Sequence, residues 1–146
     1  MTCRGVLTFT TGVLALIMGS GASAQAMSAY LWKQRPLLVF ASHDGAADLM
    51  RQKAIVESAR AGFAERDIVV VYVVGDAVAA VGGAAPGQTA SKLRARYGVE
   101  PGRFRAVLVG KDGGAKLSAS APLTAQRLFA TIDAMPMRID EMRRQR

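Results

Sequence analysis

The stretch VFASHDGAADLM (residues 39–50) places the chain's single histidine, His43, within six positions of two aspartates, Asp44 and Asp48. An imidazole and two carboxylates that converge can bind a divalent cation or share a proton. Asp76 closes a later apolar run and could face the same crevice. The spacing matches no recognised metal motif. A simpler reading assigns the same residues to a helix start. Asp44 or a neighbour would cap it, Asp48 in the first turn would complement the dipole, and His43 would be an ordinary loop residue. Ser42 lies beside His43, but adjacency in sequence is not a triad geometry, and FASHD is not a nucleophile elbow.

The flanking segments decide where this loop sits. RPLLVFA (Arg35–Ala41) is a short apolar run without polar alternation, as a strand buried on both faces reads. After it, Leu49, Val56 and Phe63 repeat every seven positions with Ile55 and Ala59 between them. Arg51, Lys53, Glu57 and Arg60 fill the other side, the pattern of one amphipathic helix that Gly62 would fray before Glu65. DIVVVYVVGD (Asp67–Asp76) is a second buried strand. Strand, helix and strand in this order predict a right-handed βαβ unit. His43, Asp44, Asp48 and Asp76 would then lie at the C-terminal ends of parallel strands, where open sheets bind ligands.

Beyond Asp76, AVAAVGGAAPGQTA (77–90) reads as a loop with paired glycines and Pro86-Gly87. It lacks the lysine of a phosphate loop. SKLRARYG reads as a short helix ended by Gly98 as a left-handed cap. FRAVLVGKDGGAKLSAS reads as a hairpin, with strands Val107–Val109 and Ala115–Ser118 about an Asp112-Gly113 turn. TAQRLFATIDAM starts at Thr124 as N-cap, presents Leu128, Ile132 and Met135 to the core, and ends at Pro136. RIDEMRRQR adds a last charged turn. Met135, Met137 and Met142 suit gap filling better than copper ligation. Tyr30 and Trp32 precede the first strand and would cover the sheet edge. Exposed, they would be an interaction surface.

The first 26 residues differ in kind. Arg4 supplies a positive n-region, Val6 to Met18 an apolar h-region, and small-x-small patterns end at Ala24 and Ala26. This is the pattern of a cleaved signal peptide, and it predicts an exported protein, periplasmic or secreted. The h-region is too short to cross about 30 Å of hydrocarbon, so no stable membrane span is expected after cleavage. The domain would be residues 27–146, with its core at about 31–136. Cleavage removes Cys3, the only cysteine. A thiol-free exported chain can form no disulfide, no thiolate metal site and no dithiol redox pair.

The composition, 51% hydrophobic and 21% charged, is that of a globular chain. A formal net charge of +8 and a pI of about 10.4 suit solubility, or a polyanionic neighbour such as an envelope protein or an anionic polymer. Nucleic acid is not expected, because no basic motif is interleaved with aromatic residues.

Trp32 with RPLLVFA, ERDIVVVYVVGD, LRARYGV, FRAVLVGKDGG and IDAMPMR, in this order, carry a resemblance. The chain resembles the thioredoxin-like domain of unknown function of the DUDES type, found in exported bacterial proteins and in equarin-type and sushi-repeat matrix proteins. The resemblance implies an α/β, thioredoxin-like fold with a central mixed sheet of about four strands and flanking helices. Carried over by position, the thioredoxin cysteines fall on Gly45 and Asp48, and the cis-proline falls near Phe104, with Pro101 out of register. The expected function is therefore a non-catalytic binding module of the cell envelope, without thiol redox activity or a cofactor. The alternative is a cysteine-independent, metal-dependent enzyme built on His43, Asp44 and Asp48. Convergence of the polar side chains in a pocket would favour the enzyme, and splaying would favour the module.

Overall fold

The computed structural model describes residues 27–146, and the expected signal peptide lies outside the described residues. The run RPLLVFA forms β1 (Arg35–Ala41), buried along its whole length. It pairs in parallel with β2 (Ile68–Val74), from Arg35 opposite Ile68 to Ala41 opposite Val74. A hairpin turn at Gly75-Asp76 leads into β3 (Ala77–Val81), antiparallel to β2. On the other side of β1 lies β4 (Arg105–Val109), antiparallel, with Phe40 opposite Arg105. β5 (Ala115–Ala119) closes that side, so the order is β3-β2-β1-β4-β5.

The mixed sheet thus has five strands rather than four, because part of the segment read as a loop is β3. Its sequence, AVAAV, alternates exposed with half-buried positions. Val78 and Ala80 pack against the core. Alanine carries little strand propensity or hydrophobic contrast, so this edge strand has no sharp signature.

The chain threads the sheet with helices α1 (Ala47–Ser58), α2 (Arg60–Glu65), α3 (Ala90–Tyr97), α4 (Ala125–Asp133) and α5 (Pro136–Arg144). Strand alternation divides the core in two. Leu37, Val39, Ile68, Val70, Ala106 and Leu108 face α1, α2 and α4, meeting Leu49, Val56, Phe63, Leu128 and Ile132. Leu38, Phe40, Val69, Val71, Val107 and Val109 face the opposite layer, built from Met27, Tyr30, Leu93 and Val99. Among the described residues no helix is long and apolar enough to cross a membrane.

The helix expected from Leu49 to Phe63 is two, because Ala59 leaves helical geometry at φ −116°, ψ 18°. All three heptad residues nevertheless reach the same core. Gly62 is a packing residue, since a Cβ there would lie 2.6 Å from the Phe129 ring. Gly98 caps α3 at φ +63°, and Thr89 and Thr124 cap α3 and α4 by accepting from the Lys92 and Arg127 N–H groups. Pro136 is the first residue of α5 as well as a stop for α4, a position where its missing N–H costs nothing. The expected last turn is therefore a nine-residue helix.

Tyr30 and Trp32 part company. Tyr30 is 2% exposed against a sheet face and donates its hydroxyl to the Ala84 carbonyl. Burial pushes its phenol above the ordinary value. Trp32 is 67% exposed, with φ +63° and its N–H donated to the Lys111 carbonyl at 2.7 Å. The pair does not cover the sheet edge, because the left-handed residue turns the indole outward while Tyr30 turns in.

Candidate functional site

β1 ends at Ala41, whose carbonyl accepts from Gly75 N–H at 3.1 Å and so ties the ends of the two parallel strands together. From there Ser42, His43, Asp44 and Gly45 run exposed, and a turn bond from Ala46 N–H to the His43 carbonyl leads the chain into α1. Ser42 Oγ and His43 Nδ1 share a hydrogen bond of 2.8 Å. Asp44 accepts from Lys53 at 3.3 Å, and that ammonium also lies 5.6 Å from the Tyr72 ring centroid. Burial and the Glu57 carboxylate push the Tyr72 phenol up. Asp48 faces Arg51 at 3.6 Å, one turn along α1. Asp76 sits exposed in the turn between β2 and β3.

The helix start differs from expectation. The N-cap of α1 is Ala46, with extended φ −62°, ψ 129° and no side-chain cap, while Asp44 is drawn away to Lys53. Asp48 does occupy the first turn, where its charge complements the helix dipole.

A hollow of about 360 Å³ opens at this end of the sheet, between Ser42, Ala46 and Asp48 on one side and Arg103 and Phe104 on the other. An adjoining hollow shares Arg103, Phe104 and Ser120. Of the four polar candidates only Asp48 lines the first hollow. Among the described residues no three histidine, cysteine, aspartate or glutamate side chains come together to hold a metal. What the hollow offers is one carboxylate, one guanidinium, two serine hydroxyls (Ser42 and Ser120) and an aromatic wall, a set suited to binding by ion pairs and hydrogen bonds. The Ser42–His43 pair has no carboxylate bonded to its ring among the described residues, so nothing there orients the imidazole as a base.

Two polar residues at the site carry no motif in the sequence. Arg94, buried on α3, reaches under β1 and donates to the Ala41 carbonyl at 3.5 Å. Arg103 projects from the loop before β4, 3.9 Å from Glu100. Only its place among the glycine and proline of VEPGRFR hinted at an exposed position. Burial pushes the nearby Tyr97 phenol up, against an opposing pull from Arg96.

No curated protein and no solved structure gives a significant match to the chain. One family model does, the domain of unknown function DUF4174, over residues 26–141. The match takes in the whole sheet, the loop after β1 and all but the end of α5, and the chain belongs to the DUF4174 family.

Proposed function

We propose that the chain is an exported, thioredoxin-like binding module of the DUDES type, without thiol redox chemistry, that holds an anionic partner at the cell envelope. The observation that carries this reading is the splay of the loop after β1. His43 and Asp44 are exposed, Asp44 and Asp48 pair with different cations, and Asp76 stands in a separate turn. A metal-dependent or acid–base enzyme would bring them together.

The thioredoxin-like assignment is supported by a parallel β1–β2 pair joined through helix, then a further helix, an antiparallel hairpin and a closing helix. Export is supported by the sequence of residues 1–26, with Arg4, the apolar Val6 to Met18 and the small-x-small patterns ending at Ala24 and Ala26. The anionic partner is supported by the net charge and by Arg103 on the rim of the hollow.

The test is the thermal midpoint of the protein and of Asp48→Ala, each with chelator, with a panel of divalent cations and with polyglutamate. Polyglutamate should raise the midpoint by an amount that shrinks as salt is added, and no cation should match it. A ligand at a hundred times its dissociation constant adds about 2.7 kcal/mol, enough to move the midpoint by several degrees. A cation-specific rise lost in Asp48→Ala would replace the module with the metal-dependent enzyme.

A further inference from the structure

At the opposite end of β1 from the His43 loop, a concavity of about 340 Å³ opens between the β4–β5 turn and the elbow joining α4 to α5. One wall is apolar, formed by Ala134, Met135, Pro136 and Met137, and the other carries Arg35, Lys111 and Lys116. Its volume falls within the range of small-molecule sites.

Arg35 is 1% exposed. Its Nη1 donates to the Arg66 carbonyl at 2.9 Å and its Nη2 to Glu141, but its Nε–H is buried with no acceptor. A charged donor left without a partner in the interior is costly, and natural proteins rarely retain one. A second set of donors stands at the same wall. α5 begins here, its N-cap Met135 provides no side-chain cap, and Pro136 has no N–H. The N–H groups that follow lack intrahelical partners and carry the positive end of the helix dipole.

The charges already present limit what these donors can take. Lys111 is held by Asp67 at 2.8 Å and Glu141 at 2.7 Å, and Lys116 by Asp112 at 2.6 Å. The cations are therefore matched, and Asp112 on the rim repels a second negative charge. Unsatisfied donors without surplus positive charge suit a monoanion better than a dianion. The apolar wall asks for an aliphatic body.

We propose that this concavity binds an organic monocarboxylate, with its carboxylate at Arg35 Nε and the start of α5 and its chain along Met135 and Met137. The site does not involve the loop after β1, so it stands or falls separately from the binding-module reading.

The test is calorimetric titration of the full chain with hexanoate, hexan-1-ol and inorganic phosphate, together with methyl NMR of the methionines. Hexanoate should bind at least about tenfold tighter than either other probe, and shift the Met135 and Met137 methyls. Ala134→Phe, which fills the concavity from its rim, should weaken hexanoate by about tenfold or more. Lys116→Ala, a substitution on an exposed strand position, provides a second variant and should weaken hexanoate without abolishing it. Hexanoate binding no tighter than hexan-1-ol or phosphate would overturn the proposal. So would methyl shifts confined to other methionines, or hexanoate affinity unchanged in both variants.

Discussion

Arg35 in β1 and Glu141 in α5, 106 positions apart, meet through Arg35 Nη2, which donates to Oε1 at 3.1 Å and Oε2 at 3.2 Å. Glu141 also takes Lys111 at 2.7 Å and approaches Arg138, itself 1% exposed, at 3.6 Å. One carboxylate thus bridges three largely buried cations, of which Lys111 also has Asp67 and Arg138 also has Glu65 and Asp133, and it fixes the last helix to the sheet. Glu141→Ala should destabilise by about 3 kcal/mol, since it leaves Arg35 buried without a carboxylate and takes one of two from Lys111. The figure sits at the low end for buried pairs because Glu141 keeps 18% of its side-chain surface. Arg60→Ala, which breaks only an exposed pair with Glu57, should change stability by no more than about 0.5 kcal/mol. Urea midpoints of the two variants check the contrast.

Acid should dissolve the same network. The Arg66 guanidinium, hydrogen-bonded to Asp133, holds that carboxyl below its ordinary 3.8. Burial pushes Glu141 up, but the hydrogen bonds from Lys111 and Arg35 prevail and hold it below 4.5. A carboxylate with a depressed folded-state pKa contributes stability that is complete above its unfolded value and lost as pH falls through its folded value. The urea midpoint should therefore carry no loss from these two groups above about pH 5 and fall with acid below about pH 4. Asp133→Asn should start from a lower midpoint and show a shallower acid slope. An equal slope would locate the acid sensitivity elsewhere.

Gln52 is fully buried and bridges α1 to the segment before α4. Its Nε2 donates to the Leu123 carbonyl at 3.1 Å, and its Oε1 accepts from Leu123 N–H at 2.8 Å. Gln52→Leu keeps the bulk but leaves both backbone groups of Leu123 buried without partners. The expected cost is about 2 kcal/mol or more. Amide hydrogen exchange at Leu123 should accelerate in the variant, which separates loss of this bridge from a general loss of packing.

The elements that position the site were largely legible in the sequence, because β1 and β2 are continuous apolar runs and Gly98 and Thr124 are strong helix punctuation. β3 was not, since its alanines give neither propensity nor contrast. The partners of Arg35 and Arg138 were not legible, because Glu141 and Glu65 are brought to them from distant parts of the fold, and no local pattern encodes that meeting. The position of His43, Asp44 and Asp48 at the end of β1 could be read. Their directions could not, because Lys53 and Arg51, one helix turn away or more, draw the two carboxylates apart.

The start of α1 yields the last prediction. Ala46 already has the extended backbone of an N-cap, at φ −62°, ψ 129°, but offers no oxygen to the N–H groups ahead of it. Asp44, the cap expected by composition, is two residues too early and bonded to Lys53. Ala46→Ser supplies the missing acceptor with one added atom and should stabilise the protein by about 1 kcal/mol. Asp48 supplies a charge in the first turn but no cap, so the gain should persist in an Asp48→Ala background. A double-mutant cycle of urea midpoints reads both effects, and near-additivity is the expected result. If Ala46→Ser gave no gain in either background, the helix start would have to be satisfied by solvent as well as it can be by a hydroxyl.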